Sequence, residues 1–185
     1  MPNTEVQPMS HPLAAFDARI DKLIDPLRKN PHANRVFYAA SALADHSLIW
    51  LILASLKAVT QEETSGIKAA IGIGAESLIV NIGVKSLFGR ARPIEADHSH
   101  PHQLRYPLTS SFPSGHASAA FAAAMIIGKR PWSRIAMFGL ATVVSTSRVH
   151  VRIHHASDVV AGAGLGVGLG WALSRLLERS QKPLE

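Results

Sequence analysis

An all-α fold, a helical bundle embedded in a membrane, is the class this sequence predicts, on three observations. First, 47% of the 185 residues are hydrophobic and only 17% are charged, against about a quarter charged in ordinary soluble domains. Second, the apolar residues are gathered into blocks separated by short polar stretches. Third, the last block carries two rows of glycines spaced four apart, Gly162, Gly166 and Gly170 beside Gly164 and Gly168. Glycines inside a water-exposed helix would each cost about 1 kcal/mol relative to alanine, whereas in lipid such rows let helices approach closely. A chain of this length makes one domain. The absence of cysteine excludes disulfide staples, thiolate metal sites and cysteine nucleophiles.

The elements follow in order. Leu13, Phe16, Ile20, Ile24 and Leu27 recur at three- and four-residue steps among charged residues. This predicts an amphipathic helix within residues 1–35, ending near Pro26 or before Pro31, that lies in the interface plane or packs on the bundle. The opening MPNTEVQPMSHP lacks a basic region followed by an apolar core, so no secretory signal is expected. Five apolar blocks come next: Val36–Leu56, Gly66–Val84, Ala117–Gly128, Ile135–Ser147 and Val159–Leu173. About 20 residues cross the hydrocarbon; the first two blocks have that length and the other three need their flanks. The expectation is five spanning helices within a membrane domain of residues 36–176, with a polar tail over 177–185. A soluble bundle with uniformly apolar core helices is the rival reading. Asp45 and Glu76 interrupt the first two blocks. Either they hydrogen-bond across helices, to Asn81 or His46, or the helix boundaries are shifted.

Three polar stretches carry the chemistry. In Lys85–Pro93, Lys85, Arg90 and Arg92 concentrate positive charge where the second block ends. Planar guanidinium forks and a point ammonium suit a tetrahedral oxyanion, although a basic flank also anchors ordinary membrane helices. In Ser111–Ser118, Pro113, Ser114 and Gly115 precede the third helix, whose free N–H groups favour an anion. Ser114 adds a hydroxyl and His116 a proton donor; ordinary capping is the alternative. In Ser147–Asp158, Arg148, His154 and Asp158 stand in the spacing R-x5-H-x3-D. If helical, this puts the carboxylate one turn from the imidazole, fixing its tautomer and freeing the other nitrogen to attack phosphorus. His98, His100 and His102 raise a zinc reading, but they stand in a loop with few carboxylates, so no metal is expected.

Taken together, these stretches resemble the type 2 phosphatidic acid phosphatase family, whose pattern is K-x6-R-P, then P-S-G-H, then S-R-x5-H-x3-D. It is complete here in Lys85, Arg92 and Pro93, in Pro113 through His116, and in Ser147, Arg148, His154 and Asp158. The resemblance implies a membrane bundle of the type shared with acid phosphatases and vanadium haloperoxidases. It implies that His154 attacks phosphorus to form a phosphohistidine, oriented by Asp158, and that His116 protonates the leaving oxygen and then assists water. Lys85, Arg92, Ser114, Gly115 and Arg148 would bind the phosphate, and no cofactor or metal is implied. Members commonly have six spanning helices, one more than this chain offers.

A site at the helix-end plane of a bilayer implies a lipid phosphate. Phosphatidic acid, phosphatidylglycerol phosphate, polyprenyl phosphates and diphosphates all qualify. The Ala- and Gly-rich composition resembles short actinobacterial members and favours a polyprenyl-linked phosphate such as decaprenylphosphoryl-5-phosphoribose, in a bacterial plasma membrane. The net charge of +6 also permits nucleic acid, but the basic residues flank apolar blocks rather than interleave with aromatics, so none is expected. A non-enzymatic protein that binds anionic membrane lipids is the competing class. Oligomerisation through the Gly-rich last helix is a further expectation. Five spans put 11 of the 19 Lys and Arg on the active face and 8 on the other, a near balance. Arg28, Lys29 and Arg35 before the first block tip the active face toward the cytoplasm.

Overall fold

The computed structural model describes residues 12–60, 63–93 and 109–179, and most of these are helical. The helices are α1 (Pro12–Arg28), α2 (Pro31–Leu43), α3 (Leu48–Thr60), α4 (Glu63–Leu78), α5 (Gly115–Ile127), α6 (Pro131–His150) and α7 (Ala156–Arg179). α4 continues as a π-helical segment, Ile79–Val84, and closes in a 3-10 turn, Lys85–Leu87.

α5 is the central helix. Ala117, Ala119, Ala120, Ala122, Ala123, Ala124 and Ile126 are all buried, between α7 on one side and α3, α4 and α6 on the others. Small side chains are what such a position needs, because neighbouring backbones must come close on every face. α7 meets this requirement with glycine. A Cβ at Gly162 would lie 2.4 Å from the Ser114 carbonyl oxygen, and one at Gly166 would lie 2.2 Å from that of Ser118. The row Gly162, Gly166, Gly170 is therefore taken up inside the chain, against α5. Gly164 and Gly168 have nothing within 4 Å and stay on the outer surface.

Against the expectation of five spans, length and apolarity alone mark out fewer. Among the described residues two segments, Ser65–Leu87 and Ala156–Arg179, are long and apolar enough to cross a membrane. A third arises only if α2 and α3 count as one span. The first apolar block is broken at a 3-10 turn, Asp45–Ser47, where Ser47 takes a left-handed φ of 59° and the axis bends by 68°. The boundaries there are indeed shifted, and Asp45 lies in the break. The third block's apolarity serves interior packing: the 13 residues of α5 rise about 20 Å, short of the roughly 30 Å hydrocarbon. The polar ends of α6, with Arg134 and Arg148, dilute the fourth.

α1 packs on the bundle through a mixed face. Ile24 joins Val149 and Ala156 in a small apolar cluster, with Ile20 against it. Arg28 donates to the carbonyls of Val149 and His150 at the end of α6, at 2.9 and 3.0 Å, where free acceptors favour a cation. Leu13, Phe16 and Leu27, placed by sequence on the same stripe as Ile20 and Ile24, are exposed. The helix runs through Pro26 and stops at Arg28. The tail beyond residue 179 lies outside the described residues.

Candidate active site

The three polar stretches converge on one end of the bundle. Lys85 stands at the close of α4, Arg92 just beyond it, Ser114 and Gly115 at the amino end of α5, Arg148 in the last turn of α6, and Asp158 in the first turn of α7. A cavity of about 200 Å³ is lined by Lys85, Arg92, Gly115, His116 and His154, together with Ser77, Asn81 and Thr109. Lys85, Arg92, Ser114, Arg148, His154 and Asp158 are all buried.

His154 is not on a helix, contrary to the helical spacing expected from sequence. After α6 the chain reverses through Val151–His155, with Arg152 in a left-handed conformation at φ 56°. The Arg148 carbonyl holds this turn together, accepting from the N–H groups of Ile153 and His154, both at 3.1 Å. α7 then starts at Ala156, and Asp158 is its third residue. The Asp158 Oδ2 reaches back to accept the N–H of His155 at 2.9 Å, the carboxylate half of a capping box. The pairing inferred from sequence is kept by a different route: His154 Nδ1 lies 3.6 Å from Asp158 Oδ2.

The other ring nitrogen faces cations. His154 Nε2 is 3.4 Å from Arg92 Nη1. A guanidinium only donates, so Nε2 presents its lone pair and Nδ1 carries the hydrogen toward Asp158. Burial, reinforced by Arg92, Arg148 and Lys85 and opposed by Asp158, pushes the His154 pKa down to about 3. The imidazole is therefore held neutral and nucleophilic. Arg92 is itself aimed by backbone carbonyls, donating to Ile153 at 2.9 Å and to Thr109 at 3.1 Å.

Ser114 caps α5. Its hydroxyl oxygen accepts the N–H of Ala117 at 3.4 Å, and its own N–H donates to the Asp158 carbonyl at 3.0 Å, tying α5 to α7. Gly115 is required by close approach: a Cβ there would lie 2.4 Å from the Asn81 Oδ1. His116 Nε2 donates to Asp45 Oδ1 at 3.0 Å. Arg148 bonds the Ser41 hydroxyl and stands 3.6 Å from the same Asp45 oxygen.

Of the eight residues singled out by sequence reasoning, Lys85, Arg92, Gly115, His116 and His154 line this cavity, and Ser114, Arg148 and Asp158 are buried next to them. Other sequence readings are corrected. Asp45 and Glu76 do not bond Asn81: Asp45 pairs with His116, Glu76 with Ser118, and the Asn81 amide donates to the Ser77 carbonyl at 3.0 Å. The His46 side chain lies outside the described residues. His150 serves the scaffold, bonding Asn34 at 2.8 Å and stacking on Phe37. Among the described residues no group of three or more His, Cys, Asp or Glu could hold a metal ion; His98, His100 and His102 lie outside them.

Asp17 was missed, and Arg90 was read only as one of three cations suited to an oxyanion. Arg90 donates to Asp158 Oδ1 and to Asp17 Oδ2, both at 2.6 Å. Asp17, on α1, also accepts the N–H and hydroxyl of Ser157 at 2.7 and 2.8 Å. The one signal in the sequence was Arg90 itself, a second arginine two residues before Arg92. Asp17 gave none, since its partners lie far away along the chain.

Residues 66–182 match the model of the PAP2 superfamily. The chain is 31% identical over 134 residues to a decaprenylphosphoryl-5-phosphoribose phosphatase of Mycobacterium tuberculosis, covering 70% of this chain and 72% of that protein. It is 33% identical over 118 residues to a lipid A 1-phosphatase of Porphyromonas gingivalis, covering 60% of this chain but 24% of that protein. The crystal structure of a transmembrane PAP2 type phosphatidylglycerolphosphate phosphatase from Bacillus subtilis superposes with a TM-score of 0.72 at 22% identity, over 96% of this chain and 91% of that one. That last likeness concerns the fold.

Proposed function

The chain belongs to the PAP2 superfamily and is an integral membrane lipid phosphatase, and from this premise we propose that it releases phosphate from a polyprenyl-linked substrate through a phosphohistidine. The observation that carries the proposal is a buried His154 whose Nε2 faces Arg92 in a cavity shared with Lys85 and His116. Lys85, Arg92 and Arg148 hold the phosphoryl oxygens, with the Ser114 hydroxyl and the Gly115 N–H beside them. They neutralise the charge that phosphoryl transfer spreads over those oxygens.

In the first step His154 Nε2 attacks phosphorus while the bond to the leaving oxygen breaks, and His116 gives that oxygen a proton. Asp158 stabilises the imidazolium character that develops. Water then attacks the phosphohistidine, the P–N bond breaks, His116 takes the water's proton, and inorganic phosphate departs. The unit that does this is residues 36–176, with α1 braced against it.

Decaprenylphosphoryl-5-phosphoribose is the substrate favoured by the likeness to the mycobacterial enzyme. The purified chain in detergent, offered that lipid, phosphatidylglycerol phosphate, phosphatidic acid and undecaprenyl diphosphate, should release phosphate fastest from the first. A clear preference for a glycerolipid would reject the polyprenyl assignment, and lipid binding without phosphate release would reject the enzyme. The active face is assigned to the cytoplasm on Lys29 and Arg35. Arg28 carries little weight there, since Asp21 and Asp25 neutralise it. With no native cysteine, Thr109→Cys in intact cells should resist a membrane-impermeant maleimide; rapid labelling would reverse the assignment.

A further inference from the structure

We infer that Asp45 is a positioning residue for His116: it orients the ring through Nε2 and sustains the protonated form that serves as general acid. The inference rests on the reading of His116 as proton donor.

The geometry is specific. Asp45 stands in the break between α2 and α3, far in sequence from α5, and the break is what presents it to His116 at 3.0 Å. A carboxylate only accepts, so the Nε2 of His116 carries a hydrogen, and the proton to be transferred is on Nδ1. Among the described residues, the groups facing His116 from the surrounding elements are otherwise cationic or neutral. They are Lys85 at the end of α4, Arg92 beyond it, Arg148 on α6, and His154 in the α6–α7 turn. Burial lowers the His116 pKa, the neighbouring Arg148 and Lys85 lower it further, and Asp45 is the named group that raises it.

The same carboxylate lies 3.6 Å from Arg148. One anion therefore restrains both the proton donor and a phosphate ligand, so its placement couples the two halves of the site. The contrast with Glu76 supports a specific role: Glu76 is wholly buried, bonds Ser118 and does not line the cavity. Asp45 is partly exposed and is bonded to a residue that does.

The test uses the full chain in detergent micelles with nitrogen-15 histidine. The His116 imidazole, identified by its loss in His116→Gln, is titrated by NMR in wild type, Asp45→Asn and Asp45→Glu. In Asp45→Asn its midpoint should fall by roughly one pH unit, with Asp45→Glu recovering part of the change. The alkaline limb of phosphate release from the preferred lipid should move to lower pH by the same amount. An unchanged His116 midpoint overturns the inference, as does a lowered midpoint with an unmoved alkaline limb. A wild type that releases no phosphate defeats the phosphatase reading instead, and the NMR titration then decides the Asp45–His116 pairing by itself.

Discussion

The two histidines of the site occupy opposite environments. His154 is sealed: its side chain is 2% exposed, and behind it Asp158, Arg90, Asp17 and Ser157 form a continuous ionic and hydrogen-bonded chain to α1. His116 is open by comparison, 23% exposed, and rests on a single carboxylate that is itself 36% exposed. The difference fits the two tasks proposed for these rings. A nucleophile at neutral pH must stay unprotonated and must not swing, so it is buried and braced. A group that gives up a proton and regains it in every cycle must stay in contact with water.

The strongest way to break this comparison is to remove each ring in turn. His154→Ala should lower phosphate release by at least about 10⁴-fold, and His116→Ala by roughly 10²–10⁴-fold. The two should also differ in kind. With phosphorus-32 lipid phosphate and rapid quenching, His116→Ala should accumulate acid-labile, alkali-stable label on the protein, and His154→Ala none. Label persisting in His154→Ala would place the nucleophile elsewhere.

A subtler change probes the brace. Arg90→Gln leaves every cavity-lining residue in place but frees Asp158 Oδ1 and Asp17 Oδ2 from their shared partner. Activity should fall by roughly 10- to 100-fold through misplacement of His154, in kcat rather than KM. Ser157→Ala, which removes the hydroxyl's bonds to Asp17 and Arg90 but keeps both ion pairs of Arg90, should cost less, a few-fold to about tenfold, at about 1 kcal/mol for each hydrogen bond. Equal losses in the two variants, or an effect confined to KM, would mean that the chain through Arg90 does not act on the nucleophile.

The contrast also separates what was legible beforehand from what was not. The His154 pairing could be read because its partner is four residues away, and a short turn followed by a helix start preserves that proximity as a single helix would. The cations could be read because each belongs to a local pattern: Lys85 and Arg92 at a helix end, Arg148 near the nucleophile. The His116 pairing was hidden because Asp45 is 71 residues distant and looks, in sequence, like a flaw in an apolar block. The brace was hidden likewise: Asp17 reads as one more charge on an amphipathic helix, yet it is buried against Ser157.

By itself the sequence determined the helical class, the membrane setting and the three polar stretches that the fold brings to one end of the bundle. Those properties follow from composition, from periodicity and from residues close along the chain. Tertiary structure alone decided that the first block bends at Asp45–Ser47, that α5 is an interior helix, and that one glycine row of α7 is occupied within the chain. It also decided which carboxylate serves which histidine. Long-range pairs depend on how helices cross and where one breaks, and both follow from the packing of many side chains at once, which no local pattern encodes.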